Sequence, residues 1–105
     1  MNKSSNILEK YIQHGQVSIF SKSWCPYCVK AKDTLNKLGV SYKLLELDQN
    51  PLSSEDENKL NTLAKIKTVP KIFFGVNCIG GNSELQKLVS SGEVKSYLED
   101  AGIEI

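Results

Sequence analysis

Two cysteines, three positions apart, are the residues of this chain best suited to chemistry. Cys25 and Cys28 stand in the segment Trp-Cys-Pro-Tyr-Cys, which follows a short apolar strand pattern at residues 17–20. A helical pattern comes next, because apolar residues recur there at spacings of three and four, namely Cys28, Ala31, Leu35 and Leu38. Pro26 fits the first helical position, where no backbone N–H is missed. The sequence therefore predicts Cys25 at the point where a strand passes into a helix.

The predicted position of Cys25 favours its thiolate form. The first turn of a helix carries unpaired N–H groups and a partial positive charge, and Lys22, a little upstream, can add a full positive charge. The thiolate is the nucleophile in thiol chemistry, so Cys25 is interpreted as an exposed, attacking thiol. Cys28 lies one turn further into the helix, less exposed and within reach of the first sulfur, and is interpreted as the resolving thiol.

Two structural uses of the cysteine pair compete with this redox interpretation. A zinc site needs further close ligands, and only the isolated Cys78 and His14 remain in the sequence. A structural disulfide between two cysteines so close together would constrain the unfolded chain very little. A redox-active pair therefore fits the spacing best.

The elements around the pair follow from hydrophobic pattern and helix-capping signals. A first helix, capped by Ser5 or Asn6, is predicted to present an apolar face of Ile7, Leu8, Tyr11 and Ile12. A second strand at residues 42–47 has apolar side chains on both faces, among them Leu44 and Leu45, which predicts a sheet covered on both sides. Because a helix separates the two strands, they should run parallel as a βαβ unit.

The second half of the chain is predicted to supply two more strands and three more helices. A capping-box pattern at Ser54 opens a third helix. A strand at residues 71–74 turns into a short fourth strand at residues 78–79, after which Asn82 or Ser83 caps a fourth helix. The predicted inward side chains of the last three helices are Leu60, Leu63 and Ala64, then Leu85, Leu88 and Val89, and then Val94, Tyr97 and Leu98.

Length, composition and charge narrow the class of protein. The 105 residues, 40% of them hydrophobic, fit a single domain at residues 1–105, and a net charge of +1 gives no electrostatic case for nucleic acid or a membrane surface. The first six residues contain no apolar run of signal-peptide length, and no stretch approaches a membrane span. Three cysteines in such a chain suggest a reducing compartment, so we expect a cytoplasmic protein.

Three short motifs follow one another along the chain. They are Cys25-Pro26-Tyr27-Cys28, Thr68-Val69-Pro70 and Gly80-Gly81. In this order and at these separations they resemble the dithiol glutaredoxins, and the resemblance extends from about Ile7 to the C-terminal helix. It implies an α/β, thioredoxin-like fold with the element order α-βαβ-α-ββ-α, in which a four-stranded mixed sheet is flanked by helices on both faces.

The resemblance also implies an activity and a set of partners. The chain would be a glutathione-dependent thiol–disulfide oxidoreductase that reduces protein disulfides and glutathione mixed disulfides through Cys25 and Cys28. Glutathione would be its co-substrate, replenished indirectly by glutathione reductase, and no metal is expected. Its partners would be glutathionylated or disulfide-containing proteins, and we expect a monomer that binds neither nucleic acid nor a membrane.

A glutathione-binding groove beside Cys25 is a further implication of the resemblance. The peptide bond before Pro70 would be cis and would leave the backbone of Val69 free to pair with the substrate. Lys22 and Lys67 would hold the glycine carboxylate of glutathione, and the helix start near Asn82 would hold its γ-glutamyl end. The residues implied to bind glutathione are Lys22, Tyr27, Lys67, Thr68, Val69, Pro70, Gly81, Asn82 and Ser83.

Several features of the sequence differ from the family pattern or lie outside it. Relatives often carry glutamine or arginine in the two positions before Thr68, where this chain has Ile66 and Lys67, so the carboxylate role is transferred to Lys67 alone. Many relatives have a cysteine directly after the glycine pair, whereas here Asn82 stands there. The third cysteine, Cys78, is interpreted as a small apolar residue in a strand.

Three lysines surround the second motif, namely Lys65, Lys67 and Lys71, and they would attract an anionic substrate if they faced Cys25.

Three other functions stay open at this point. Some glutaredoxins carry an iron–sulfur cluster shared by two chains through the first cysteine and glutathione, although Pro26 is unlike the small residue usually found there. A thioredoxin, reduced by a flavoenzyme, has Gly-Pro between its cysteines, which this chain lacks. A non-catalytic binding module of the same fold would have no need of both Cys25 and Cys28.

Overall fold

A four-stranded mixed sheet forms the centre of the computed structural model, which describes residues 6–104. Its strands are β1 (Val17–Ser21), β2 (Tyr42–Glu46), β3 (Lys71–Phe74) and β4 (Asn77–Gly80), in the spatial order β2-β1-β3-β4. β1 and β2 are parallel, and β3 is antiparallel to both β1 and β4. The predicted mixed sheet is confirmed, and its arrangement brings the end of β1 next to the start of β3.

Five helices in the described part of the chain flank this sheet. They are α1 (Asn6–Tyr11), α2 (Pro26–Lys37), α3 (Ser54–Ala64), α4 (Asn82–Ser91) and α5 (Val94–Asp100). The predicted order of helices and strands is confirmed, while the proposed cap at Ser5 lies outside the described residues. Between residues 6 and 104, no helix has the length and apolar character needed to cross a membrane.

Each face of the sheet has its own hydrophobic core, because side chains alternate along the strands. Ile19 and Ile72 pack with α2, α4 and α5 on one face. Phe20 and Phe73 meet edge to face, with ring centroids 5.7 Å apart, and pack with α1 and α3 on the other face. The expectation of a sheet covered on both sides is therefore confirmed.

Some local predictions are wrong at the rims of these cores. Leu44 is 38% exposed because it lies on the edge strand β2, and Leu63 and Tyr97 are 47% and 48% exposed. In α3 the inward row is Leu60 and Ala64, one turn apart, so Leu63 falls beside that row. The hydrophobic pattern thus identifies the helices correctly but assigns too wide a buried face to them.

Two helix caps also differ from the predictions. Ser53, not Ser54, caps α3, since its side chain accepts the N–H of Asp56 at 3.1 Å. Gly81, and neither Asn82 nor Ser83, is the N-cap of α4, so both of these residues belong to the first turn of the helix. Their backbone N–H groups therefore lie at the helix N-terminus, where such groups lack intrahelical partners.

Candidate active site

The turn from β1 into α2 holds Cys25 in a defined position. Cys25 is the N-cap of α2 and Pro26 follows at the first helical position, as the sequence predicts. The Cys25 sulfur accepts the backbone N–H of Cys28 at 3.3 Å, and the thiol points towards the carbonyl oxygen of Val69 at 4.0 Å. A sulfur in this position accepts the kind of hydrogen bond that stabilises a thiolate.

The two thiols differ in their surroundings. Cys28 is fully buried, and burial raises the pKa of its thiol, with the neighbouring Cys25 adding to the rise. Hydrogen bonds from the Lys22 backbone and from the Ser21 hydroxyl act in the opposite direction. Cys25 is only 5% exposed, so the expectation of an openly exposed thiol is wrong. Its side chain folds back over the first turn of α2, which places the sulfur against the helix N–H groups.

The short loop before Cys25 is tied to the neighbouring strand. Ser23 donates both its backbone N–H and its hydroxyl to the carboxylate of Asp48, just after β2. These hydrogen bonds lower the pKa of Asp48. Lys22 places its ammonium group 5.6 Å from the centre of the Trp24 ring, in a cation–π contact. These contacts hold the loop before Cys25 in place. The sequence offered no signal for the contact between Ser23 and Asp48.

A groove of about 550 Å³ lies beside Cys25, between the start of α2, the segment before β3 and the start of α4. Its lining residues are Tyr27, Ile66, Thr68, Val69, Pro70, Gly81, Asn82, Ser83 and Glu84. The peptide bond between Val69 and Pro70 is cis, as the resemblance implies. The structure therefore brings together most of the residues expected to bind glutathione, while Lys22 and Lys67 are not part of the lining.

Glu84 is a groove residue that the sequence interpretation missed. Its side chain accepts the backbone N–H of Gly81 at 2.8 Å, and this hydrogen bond lowers the pKa of Glu84. Because the N-cap Gly81 has no side chain to complete a capping box, the sequence held no clear signal for this role of Glu84. A Cβ at Gly81 would lie 3.3 Å from the carbonyl oxygen of Pro70, so glycine allows the start of α4 to approach the second motif closely.

The three lysines around the second motif differ in burial. Lys71 is only 4% exposed, and burial lowers the pKa of its ammonium group. It is the first residue of β3, and the alternation along that strand places it on the same face as Phe73. The expectation that Lys71 attracts a substrate anion at the surface is wrong for this reason. Lys67 is exposed, and Lys65 ends α3 with a left-handed backbone conformation.

Cys78 lies apart from the cysteine pair, on the edge strand β4. It packs against the core of the α1 and α3 face, and burial raises the pKa of its thiol. It lines a second cleft, of about 490 Å³, together with Leu88 and Tyr97. Within residues 6–104, the structure contains no cluster of three or more histidine, cysteine, aspartate or glutamate side chains that could hold a metal ion.

Comparison with known sequences reveals close similarity over most of the chain. Residues 17–79 match the family model described as Glutaredoxin. Glutaredoxin-2 of Schizosaccharomyces pombe is 44% identical over 93 residues, which cover 89% of this chain and 84% of the relative. Human glutaredoxin-1 is 38% identical over 94 residues, covering 87% of this chain and 89% of the relative.

Solved structures of similar proteins share the fold. The holo form of glutaredoxin C1 from Populus tremula x tremuloides aligns with a TM-score of 0.81 at 30% identity, over 95% of this chain and 99% of that chain. A buckwheat glutaredoxin–glutathione complex aligns with a TM-score of 0.82 at 26% identity, over 94% of this chain and 90% of that chain.

Proposed function

The chain belongs to the glutaredoxin family, and from this premise we propose how it carries out glutathione-dependent thiol–disulfide exchange. Cys25 is the attacking thiol and Cys28 the resolving thiol. The observation that carries this assignment is the position of the Cys25 sulfur, 3.3 Å from the Cys28 N–H at the start of α2. Backbone N–H groups at the start of a helix can donate to an anionic sulfur, which is the form that attacks a disulfide.

The reaction consists of two exchanges. The Cys25 thiolate attacks one sulfur of a substrate disulfide, forms a mixed disulfide with that sulfur, and releases the other sulfur as a thiolate. The mixed disulfide is then attacked either by Cys28, which forms the Cys25–Cys28 disulfide and releases the bound thiol, or by glutathione. The substrate gains two electrons in total, and these come from the enzyme dithiol or from glutathione.

Glutathione is proposed to lie in the groove beside Cys25. The buckwheat relative with a similar fold was solved as a glutathione complex, which supports the same ligand here. Its cysteine backbone would pair with Val69, whose carbonyl lies 4.0 Å from the Cys25 sulfur. Its γ-glutamyl carboxylate would accept N–H groups of Asn82 and Ser83 at the start of α4.

The charged groups around the groove suit the two ends of glutathione. The Glu84 carboxylate lines the groove and stays ionised, so it can receive the γ-glutamyl ammonium group. Lys22 and Lys67 lie outside the lining and are proposed to attract the glycine carboxylate from the rim. Tyr27 covers one side of the groove, with the Lys30 ammonium group 5.7 Å from its ring centre.

Substrates and cellular setting are part of the proposal. We propose that the whole chain, residues 1–105, acts as one glutaredoxin domain and as a monomer in the cytoplasm. There it would reduce disulfide-containing proteins and remove glutathione from glutathionylated proteins, with glutathione reductase restoring the glutathione pool. These activities would place it in electron transport and in the control of cellular redox state.

A coupled assay tests this function. Reduction of a disulfide substrate is followed with glutathione, glutathione reductase and NADPH, and in parallel with thioredoxin reductase and NADPH. We expect turnover only in the glutathione system. Turnover only with thioredoxin reductase would replace the proposal with a thioredoxin, and inactivity of the folded, reduced protein in both systems would favour a binding module.

A further inference from the structure

Gln86 connects the two helices that form opposite walls of the groove. α2 contributes Tyr27 to the lining, and the first turn of α4 contributes Asn82. The amide nitrogen of Gln86, one turn further along α4, donates to the hydroxyl oxygen of Thr34, in α2, at 2.8 Å. The same nitrogen donates to Oδ1 of Asn82 at 3.1 Å. A single side chain therefore joins a lining residue of one wall to the helix of the other wall.

The direction of these hydrogen bonds fixes the orientation of two amide groups. The Thr34 hydroxyl donates its hydrogen to the carbonyl oxygen of Lys30 at 2.9 Å, so its oxygen can only accept from a further partner. Gln86 must therefore present its NH₂ group, whose two hydrogens serve Thr34 and Asn82. Because Gln86 donates to the side-chain oxygen of Asn82, the amino group of Asn82 is left to donate to a ligand.

The helices that carry this bridge are held by the hydrophobic core. Leu35 follows Thr34 in α2, and Leu85 precedes Gln86 in α4. Both leucines are fully buried and belong to the same core cluster. The three bridging side chains are themselves partly buried. Side chains supported by packed helices in this way hold a binding group more precisely than loop residues do.

We propose that Gln86 and Thr34 are positioning residues for the γ-glutamyl end of glutathione. They hold Asn82 so that its amino group donates a hydrogen bond to the γ-glutamyl carboxylate, which only accepts hydrogen bonds. An Asn82 amide turned the other way would direct its oxygen at the carboxylate and repel it. This inference rests on the proposed function, because it concerns how the same groove binds glutathione.

A mixed-disulfide equilibrium measures the contribution of the bridge. In a Cys28→Ser background, the protein is equilibrated with the reduced and oxidised forms of one thiol, quenched with acid and digested, and the modified fraction of the Cys25 peptide is measured by mass spectrometry. The thiols compared are glutathione, γ-glutamylcysteine, which lacks the glycine, and cysteinylglycine, which lacks the γ-glutamyl group. Their comparison isolates the γ-glutamyl end of the ligand.

The bridge should matter only for thiols that carry a γ-glutamyl group. Gln86→Leu should lower the equilibrium constant for glutathione and γ-glutamylcysteine about three- to ten-fold, as expected for one hydrogen bond. The constant for cysteinylglycine should stay within about two-fold. Thr34→Val removes the anchor of Gln86 but keeps the shape of the side chain, and it should give the same pattern with a loss of about three-fold. It keeps the inference testable if Gln86→Leu fails to fold.

Two further variants complete the design. Asn82→Ala should reproduce the loss seen in Gln86→Leu, and the two changes together should cost no more than one alone, because both remove the same contact. Gln13→Leu is the matched control, since the exposed Gln13 side chain donates to the carbonyl oxygen of Glu9 at 2.7 Å. This control should leave the constants of all the thiols within about two-fold.

The contrary outcomes are distinct. Equal losses for all the thiols would show general damage to the groove and would overturn the inference. Unchanged constants in both Gln86→Leu and Thr34→Val would overturn it as well, and so would additive losses from Gln86→Leu and Asn82→Ala. Absence of any mixed disulfide on Cys25 in the Cys28→Ser background would overturn the proposed function, and this inference with it.

Discussion

Two clefts of similar size lie beside cysteines in this protein, and their surroundings differ. The groove next to Cys25 measures about 550 Å³, and the cleft lined by Cys78 about 490 Å³. The Cys25 sulfur accepts an N–H at the start of a helix, whereas the Cys78 thiol points back to the carbonyl of Gly80, 4.0 Å away in its own strand. A carbonyl oxygen does not stabilise a thiolate, because it is an acceptor itself.

The comparison shows what a thiol needs in order to react. Cys78 itself lines its cleft, while Cys25 reaches its groove only through contact with the lining residue Val69, so a cavity alone does not identify the reactive thiol. Burial raises the pKa of Cys78 with only partial opposition from neighbouring groups, which keeps it protonated. Both thiols point to a backbone carbonyl at 4.0 Å, so that contact does not distinguish them. Cys25 differs because its sulfur accepts the Cys28 N–H at the start of α2 and has a partner thiol three residues on. The predictions below test this contrast, from the largest expected effect to the smallest.

Replacing the attacking thiol should have the largest effect. Cys25→Ser should reduce all thiol–disulfide exchange to background, because every mixed disulfide forms on this sulfur in the proposed reaction. The coupled glutathione assay, with one protein disulfide and one glutathionylated protein as substrates, measures this. Appreciable turnover of either substrate by the folded variant would mean that another thiol can attack, and the contrast between the two clefts would fail.

Replacing the resolving thiol should separate the two kinds of substrate. Cys28→Ser should slow reduction of a protein disulfide by about a hundred-fold or more, because an intramolecular thiol has a high effective concentration. Removal of glutathione from a protein should persist or increase, since free glutathione resolves that intermediate and the internal disulfide no longer diverts the enzyme. Equal loss of both activities in a folded variant would refute the division of roles between Cys25 and Cys28.

A charge reversal at the rim of the groove should have a moderate effect. Lys67→Glu should weaken the apparent affinity for glutathione about two- to five-fold, because Lys67 is exposed and such contacts are screened by solvent. A disulfide substrate without carboxylates should be much less affected. Lys59→Glu, which makes the same charge reversal at an exposed position of α3, is the control. The same loss in both variants would show a general charge effect instead of a contact with glutathione.

A change in the second cleft should have the smallest effect on activity. Cys78→Ser should leave turnover within a few-fold of the unmodified protein, while the hydroxyl placed against the core costs about 1–3 kcal/mol of unfolding free energy. Turnover and urea unfolding of the same preparation measure the two effects separately. Loss of turnover without loss of stability would give Cys78 a role that its surroundings do not explain.

The sequence predicts the elements that carry the cysteine pair because their signals are local. The alternation before Cys25, the proline at position 26 and the helical spacing after it lie within one short segment. The cis bond at Pro70 and the groove residues came from the resemblance to a family, since base rates alone favour a trans bond. Local pattern and family resemblance together therefore located the site.

What the sequence could not reveal are contacts between distant elements. Ser21 and Glu46 are 25 positions apart, and only the parallel register of β1 and β2 makes them neighbours. The contact between Ser23 and Asp48 depends on the same register. Lys71 was expected to attract an anionic substrate together with Lys65 and Lys67, yet its place in β3 buries it. Such facts follow from tertiary packing, which hydrophobic periodicity does not encode.

One measurement tests the central claim most directly, namely the identity of the sulfur that first accepts glutathione. The Cys28→Ser variant is mixed with a stoichiometric amount of oxidised glutathione, quenched with acid and digested, and the peptides are analysed by mass spectrometry. The structure predicts that glutathione is attached to the peptide that contains Cys25, while the peptide with Cys78 stays unmodified. Glutathione on Cys78 at a comparable level and rate would contradict the account.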